Sequence, residues 1–197
     1  MHFKWKYEPP TPQQEQDAKK LIEKMNISAP LALIMAKRGI KEENARHFFH
    51  PQLTELHDPF LMKDMDKAVE RLNEAMGRKE RIMVYGDYDV DGCTAVALVY
   101  KLLQQYYSNI DYYIPDRYDE GYGVSRKGIE YANETGVKLI IILDCGIKAI
   151  EEIQYAKKLG IDFIICDHHV PDDEMPSAVA ILNPKRSDDS YPFKHLC

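Results

Sequence analysis

No stretch of this chain approaches the roughly 18 consecutive apolar residues that a membrane-crossing helix needs. Its first ten residues, MHFKWKYEPP, lack the apolar core and small-residue cleavage site of a signal peptide. These two absences predict a cytoplasmic protein with no membrane partner. Cysteine is sparse: Cys93, Cys145, Cys166 and Cys197 stand far apart with no CxxC pair. That spacing excludes a zinc-finger pattern and argues against a disulfide framework, leaving small, buried thiols as the expected state. An excess of basic residues is missing too. The formal net charge is -6 and the pI about 5.7, so no broad basic face for nucleic acid is written into the composition. Part of the negative charge lies in one short acidic cluster, where divalent cations would offset it. Solenoid repeats and low-complexity tracts are absent as well.

What is present is a chain of 197 residues, 45% hydrophobic and 29% charged. That is enough for one good domain, or one domain plus a small attachment. The N-terminal part reads as helical. Thr11-Pro12-Gln13-Gln14 combines a capping residue, a proline at the first helical position and a glutamine at the third, and predicts a helix to about Met25. Residues 30–37 and 41–49 form two short helices split at Gly39, which serves as a C-cap. Pro51 and Pro59 keep residues 50–60 irregular. A helical hairpin is the expected arrangement here, with no DNA-reading role.

From Asp64 onward the pattern becomes regular. Met65, Val69, Leu72 and Met76 share a helical face that ends at Gly77. Strands are predicted at 82–85, 110–114, 138–143, 162–166 and 179–182. Between them lie helices at about 92–106 (Val96, Val99, Leu102, Leu103 and Tyr106 inward), 125–135, and 147–159 (Ile150, Ile153 and Ala156 inward). Single helices between strands imply parallel pairing, since each crossover needs a dozen or so residues. The continuous apolar runs 139–143 and 163–166 suit strands covered on both faces. The expected fold is α/β: an open, doubly wound parallel sheet over residues 64–197, preceded by a helical segment over 1–63.

Three of these strands end in chemistry. After the apolar run 82–85 and Gly86 come Asp87, Asp89 and Asp91 at alternate positions, followed by Gly92. Three carboxylates so close repel one another unless cations sit among their oxygens. The run 140–143 ends in Asp144-Cys145-Gly146, and 163–166 ends in Asp167-His168-His169. Because ligands bind outside the carboxyl ends of the strands of an open parallel sheet, the fold brings all three groups to one edge. Carboxylate plus imidazole, with no thiolate needed, suits Mn²⁺ or Mg²⁺. Neighbouring side chains in an extended segment point opposite ways, so one histidine of the pair is expected on metal and the other toward substrate or a second ion. Taken alone, Asp91 before Gly92 also reads as a helix cap.

The set YGDYDVDG (85–92), LDCG (143–146) and DHH (167–169) resembles the DHH phosphoesterase superfamily. The likeness is closest to its RecJ-like branch of single-strand-specific DNA exonucleases, and the segments 56–72, 113–125 and 180–186 share it. The resemblance implies a hydrolase with two ions, Mn²⁺ or Mg²⁺, that digests single-stranded DNA from its 5′ end in repair and recombination. Single-strand-binding protein and a helicase are the partners it suggests. It assigns Asp87, Asp89, Asp91, Asp144 and His168 as metal ligands, with Asp144 bridging. It gives His169 to a metal or the scissile phosphate, and has Asp167 orient a neighbouring group.

The loop 115–126 follows a strand and so lies at the same edge. There Arg117 and Arg126 are candidates to hold phosphates, and Tyr118 or Tyr122 to stack on bases; Lys185 and Arg186 are further candidates for nucleic acid. The family's fourth acidic motif has no convincing counterpart, since Asp172, Asp173, Asp188 and Asp189 fall in polar stretches rather than after a strand. The chain therefore reads as the N-terminal part of a longer protein, truncated at its C-terminal end and with little activity alone. Two other readings remain open: hydrolysis of pyrophosphate, a cyclic dinucleotide or short RNA, and a non-catalytic nucleic-acid-binding module.

Overall fold

The computed structural model describes residue 4 and residues 6–196; Cys197, expected as a buried thiol, lies outside them. The chain divides into two units, residues 1–56 and 57–197. The boundary falls after Leu56 rather than after Lys63, because residues 57–63 are tied to the second unit. The His57 ring meets the edge of Tyr191, and the Lys63 backbone N–H donates to Asp189 Oδ2 at 2.8 Å.

The first unit holds helices α1 (Pro12–Met25), α2 (Ala29–Lys37) and α3 (Glu42–Phe49). Thr11 and Gln14 close the anticipated capping box on α1. Gly39 takes φ +75° just past α2, the left-handed residue that ends a helix. Leu21, Ala32, Met35 and Ala45 form the centre of this unit. Residues 50–60 are not wholly irregular; they include short 3-10 turns at Leu53–Glu55 and Pro59–Leu61.

In the second unit α4 (Met65–Gly77), α5 (Val90–Gln104), α6 (Arg126–Glu134) and α7 (Ile150–Lys158) surround strands β1 (Arg81–Gly86), β2 (Ile110–Tyr113), β3 (Val137–Leu143), β4 (Asp162–Cys166) and β5 (Ala180–Leu182). The sheet order is β2-β1-β3-β4-β5 and every pairing is parallel. Alternate residues of the strands face opposite layers. Met83, Tyr85, Ile140, Ile142, Phe163 and Ile165 pack on one side with Ile129 and Ala132 of α6 and Ile153 and Ala156 of α7. Ile82, Val84, Leu139, Ile141 and Ile164 pack on the other with Ala68 and Ala75 of α4 and Val96 of α5. The sheet is doubly wound, as the alternation of elements predicts.

Two helical faces differ from expectation. α4 buries Ala68, Arg71 and Ala75, while Val69 is exposed. The face is turned toward Arg71, which bridges Glu80 and Asp162 at 2.7 Å each. Leu102, on α5, and Tyr106, beyond the helix end at Gln104, are exposed rather than turned inward. Both α5 and α7 also start elsewhere than predicted. α5 begins two residues earlier, at Val90, with Asp89 rather than Asp91 as its N-cap; the Asp89 side chain accepts from the Gly92 N–H. α7 begins at Ile150, because residues 146–149 form a turn opened by Gly146 at φ +100°.

At Gly92 the first turn of α5 lies against the backbone of Asp87. A Cβ there would sit 2.4 Å from the Asp87 carbonyl oxygen and 2.7 Å from its nitrogen. Backbone cannot give way as a flexible side chain can. Gly92→Ala is therefore expected to cost about 1–3 kcal/mol, the usual range for overpacking, despite the better helix propensity of alanine. Chemical denaturation of the two proteins checks this.

Candidate metal centre

In a parallel sheet of order 2-1-3-4-5 the strand order reverses between β1 and β3, and a crevice opens there at the carboxyl ends. The segment 87–91 leaves β1 and Asp144 leaves β3 on either side of that crevice, with 167–169 leaving β4 next door. Asp144 takes φ +62°, a left-handed conformation uncommon outside glycine and often found at functional sites. Its N–H is held by the Cys166 carbonyl at 2.9 Å.

The geometry separates the two histidines. His168 Nε2 lies 3.0 Å from Asp144 Oδ1. His169 Nδ1 lies 2.7 Å from Asp167 Oδ1, which also accepts the backbone N–H groups of His168 and His169. The other Asp167 oxygen accepts from the Ile147 N–H at 3.0 Å. Burial works to raise the Asp167 carboxyl, but the N–H groups of His169 and Ile147 and the His169 ring outweigh it and hold it below the usual range. Asp167 thus acts as a buried anionic anchor that fixes the His169 ring, as a partner behind a functional histidine does. Asn183 was missed by sequence reasoning, yet it donates to the His169 carbonyl at 2.9 Å. Its position was a signal, because it directly follows the apolar run of β5.

Donor atoms of Asp144, His168 and His169 lie within 4.8 Å of one another. Among the described residues this is the compact set able to hold a metal; Asp87, Asp89 and Asp91 do not join it as it stands. They are nonetheless near. Burial, and then the charges of Asp89 and Asp91, push the Asp144 carboxyl above its ordinary range, with His168 opposing. Asp91, Asp144 and His168 line one cavity of about 590 Å³. Asp87 is fully buried; its Oδ1 is 3.5 Å from the Gly123 N–H and its Oδ2 has no hydrogen-bond partner. A buried carboxylate oxygen left unmatched, beside acids that repel one another, fits a site built for cations. Mixed oxygen and imidazole donors suit a divalent cation such as Mn²⁺.

The proposed nucleic-acid residues scatter. Tyr122 reaches the centre, with its hydroxyl 3.4 Å from His169 Nε2. Partial burial and the charges of Asp87 and Asp144 push that hydroxyl well above the usual tyrosine range. Arg117 lies over the ring of Tyr88, and Tyr88 meets Tyr122 edge-on, a neighbour that sequence reasoning overlooked. Tyr118 is almost fully exposed. Arg126 opens α6 and lies over Tyr155 of α7. Lys185 is exposed, whereas Arg186 is turned inward. It donates to Asp64 Oδ2 and the Ile181 carbonyl at 2.7 Å and pairs with Asp188. Asp188 and Asp189 belong to the same structural network, with Lys63 and Lys194, while Asp172 pairs with Lys148. Cys145 is buried and Cys93 and Cys166 partly so.

The model of the DHH family, N-terminal domain, matches residues 81–194. This chain belongs to the DHH family. It is 42% identical over 194 residues to the single-stranded-DNA-specific exonuclease RecJ of Bacillus subtilis (strain 168), covering 98% of this chain and 25% of that protein. Among solved structures it resembles an exonuclease RecJ bound to manganese, with TM-score 0.61 and 31% identity over 69% of this chain and 35% of that one. It also resembles RecJ in complex with Mn²⁺ from Thermus thermophilus, with TM-score 0.64 and 25% identity over 89% of this chain and 24% of that one. This DHH chain thus spans about a quarter of the length of the B. subtilis relative. Among the described residues no helix is long and apolar enough to cross a membrane.

Proposed function

We propose that this chain carries the metal-binding catalytic part of a 5′-to-3′ exonuclease of single-stranded DNA, acting in the cytoplasm in repair and recombination alongside single-strand-binding protein and a helicase. The observation that carries the reading is the pairing of Asp144 with His168, and of Asp167 with His169, at the carboxyl ends of β3 and β4 beside the switch point of the sheet. Similarity to single-stranded-DNA-specific exonuclease RecJ supports the substrate, and similarity to manganese-bound RecJ structures supports the metal.

Asp144 and His168 would hold divalent cation, with Asp87, Asp89 and Asp91 supplying further oxygens for a pair of Mn²⁺ or Mg²⁺ ions. When bound, such a pair activates water near neutral pH and stabilises the attacking and leaving oxygens of an in-line displacement. The protein's own contribution is orientation. Asp167 accepts the Nδ1 proton of His169, which fixes the ring and leaves Nε2 facing the Tyr122 hydroxyl. Cavities of about 590 and 440 Å³ flank the histidine pair, the first lined by Asp144 and His168, the second by Asp167, His169 and Tyr122. They offer room for a strand on both sides of the bond to be cut.

The test is digestion of 5′-labelled single-stranded DNA with Mn²⁺ by the native polypeptide that contains this chain. Release of labelled mononucleotide from single-stranded but not duplex DNA is expected, with loss of at least a hundredfold in Asp144→Asn. Turnover confined to pyrophosphate, cyclic dinucleotides or very short RNA would replace this reading.

A further inference from the structure

Tyr122 stands between two glycines that the backbone requires: Gly121 takes φ +81° and Gly123 φ +85°, a region where a side chain is strained. The segment around it is braced on both sides. On one side Glu120 accepts hydrogen bonds from the Tyr113 hydroxyl at 2.9–3.0 Å and from the Asp116 N–H at 2.8 Å. On the other, the buried Tyr85 hydroxyl donates to the Gly123 carbonyl at 2.9 Å and accepts the Ser125 N–H at 3.1 Å. What this bracing delivers is one side chain. The Tyr122 ring meets Tyr88 edge-on at 6.3 Å and His169 edge-on at 6.2 Å, and its hydroxyl faces His169 Nε2. A tyrosine meant to stack on a base needs a free ring face and makes no use of its hydroxyl. Here the hydroxyl is the part that is aimed.

We propose that Tyr122 is a positioning residue. With Asp167 on Nδ1 and Tyr122 on Nε2, the His169 imidazole is held at both nitrogens, which fixes the plane of the ring at the edge of the sheet where the substrate phosphate would bind. This deepens the functional reading above and rests on it for the identity of the phosphate, but the contact itself belongs to the protein alone.

The test has two arms. In the metal-free chain, long-range ¹H–¹⁵N spectra of the His169 ring are compared for wild type, Tyr122→Phe and Tyr122→Ala. In the native polypeptide that contains this chain, kcat and KM for a single-stranded oligonucleotide are measured for the same variants with Mn²⁺. Tyr122→Phe keeps the ring and removes only the hydroxyl. It is expected to shift the His169 Nε2 resonance and to lower kcat about tenfold, the worth of one hydrogen bond, with KM within about twofold. An unmoved His169 resonance in Tyr122→Phe overturns the proposal. So does a wild-type kcat in Tyr122→Phe combined with a raised KM in Tyr122→Ala, which is the signature of base stacking. Should wild type cleave no DNA, the functional reading fails, and the spectra still decide the contact.

Discussion

Replacing Asp144 with asparagine is expected to abolish the stabilisation that Mn²⁺ confers, while leaving the metal-free protein as stable as before or more so. The two halves of this outcome share one cause. Burial and the charges of Asp89 and Asp91 push the Asp144 carboxyl above its ordinary range, so its ionised form is disfavoured in the metal-free fold. The sign follows from linkage: a carboxyl raised on folding makes the metal-free fold gain stability as pH falls through that raised value, and its ionised form costs stability at neutral pH. Asparagine removes the charge, keeps the shape and tolerates the left-handed backbone found at this position. A cation relieves the repulsion in the other way, by binding. At a Mn²⁺ concentration of 100 times its Kd the wild-type chain gains about 2.7 kcal/mol. At roughly 2–4 °C per kcal/mol for a chain of this length, Tm rises by about 5–11 °C. The asparagine variant is expected to show no rise. Differential scanning calorimetry with and without Mn²⁺ reads both numbers, and an undiminished Mn²⁺ response in Asp144→Asn would remove this residue from the metal centre.

Arg186→Met is expected to destabilise the fold by roughly 3 kcal/mol, lowering Tm by about 6–12 °C, and to leave the Mn²⁺ response intact. The guanidinium is buried, donates to the Ile181 carbonyl and pairs with Asp64 and Asp188. Methionine fills the volume of the stem but strands those partners. The cost lies at the low end of the range for breaking a buried pair, because Lys67 still faces Asp64 and Lys63 still faces Asp188. Both carboxyls are held below their ordinary range. For Asp64, burial opposes this and the Lys67 and Arg186 contacts prevail; for Asp188, the Arg186 and Lys63 contacts dominate. Carboxyls lowered by folding contribute stability above their unfolded pKa of about 3.9 and lose it as pH falls toward their folded values. The gap between wild type and Arg186→Met should therefore narrow below about pH 4. A variant with wild-type stability and weakened DNA binding would return Arg186 to the substrate.

The contrast between these two residues marks what a sequence makes legible. Asp144 was readable because it ends an apolar run, and the end of a strand in a parallel sheet is a place in space as well as in the chain. Arg186 also follows a strand, four residues past β5, but its direction depends on Asp64, which is 122 residues earlier. No local pattern encodes that partner. The rotated face of α4 has the same origin: Arg71 turns inward because Asp162, on β4, is there to receive it. The shift of the helix cap from Asp91 to Asp89 is a matter of two residues, about half a turn of helix, where Gly92 packs closely on Asp87. Tyr122 lay between the two cases. Its glycine neighbours announced a special turn, but not that the hydroxyl rather than the ring face would be presented.

The sequence by itself determined the alternation of strands and helices, the parallel sheet, and the delivery of Asp87, Asp144 and Asp167 to a common edge. Periodicity and strand ends are local properties, and a doubly wound sheet converts them into position. The tertiary structure alone decided which donors converge, which histidine each aspartate holds, and which charged side chains serve the fold instead of a substrate. Those outcomes depend on partners far apart in the chain, which only the folded backbone brings within hydrogen-bond reach.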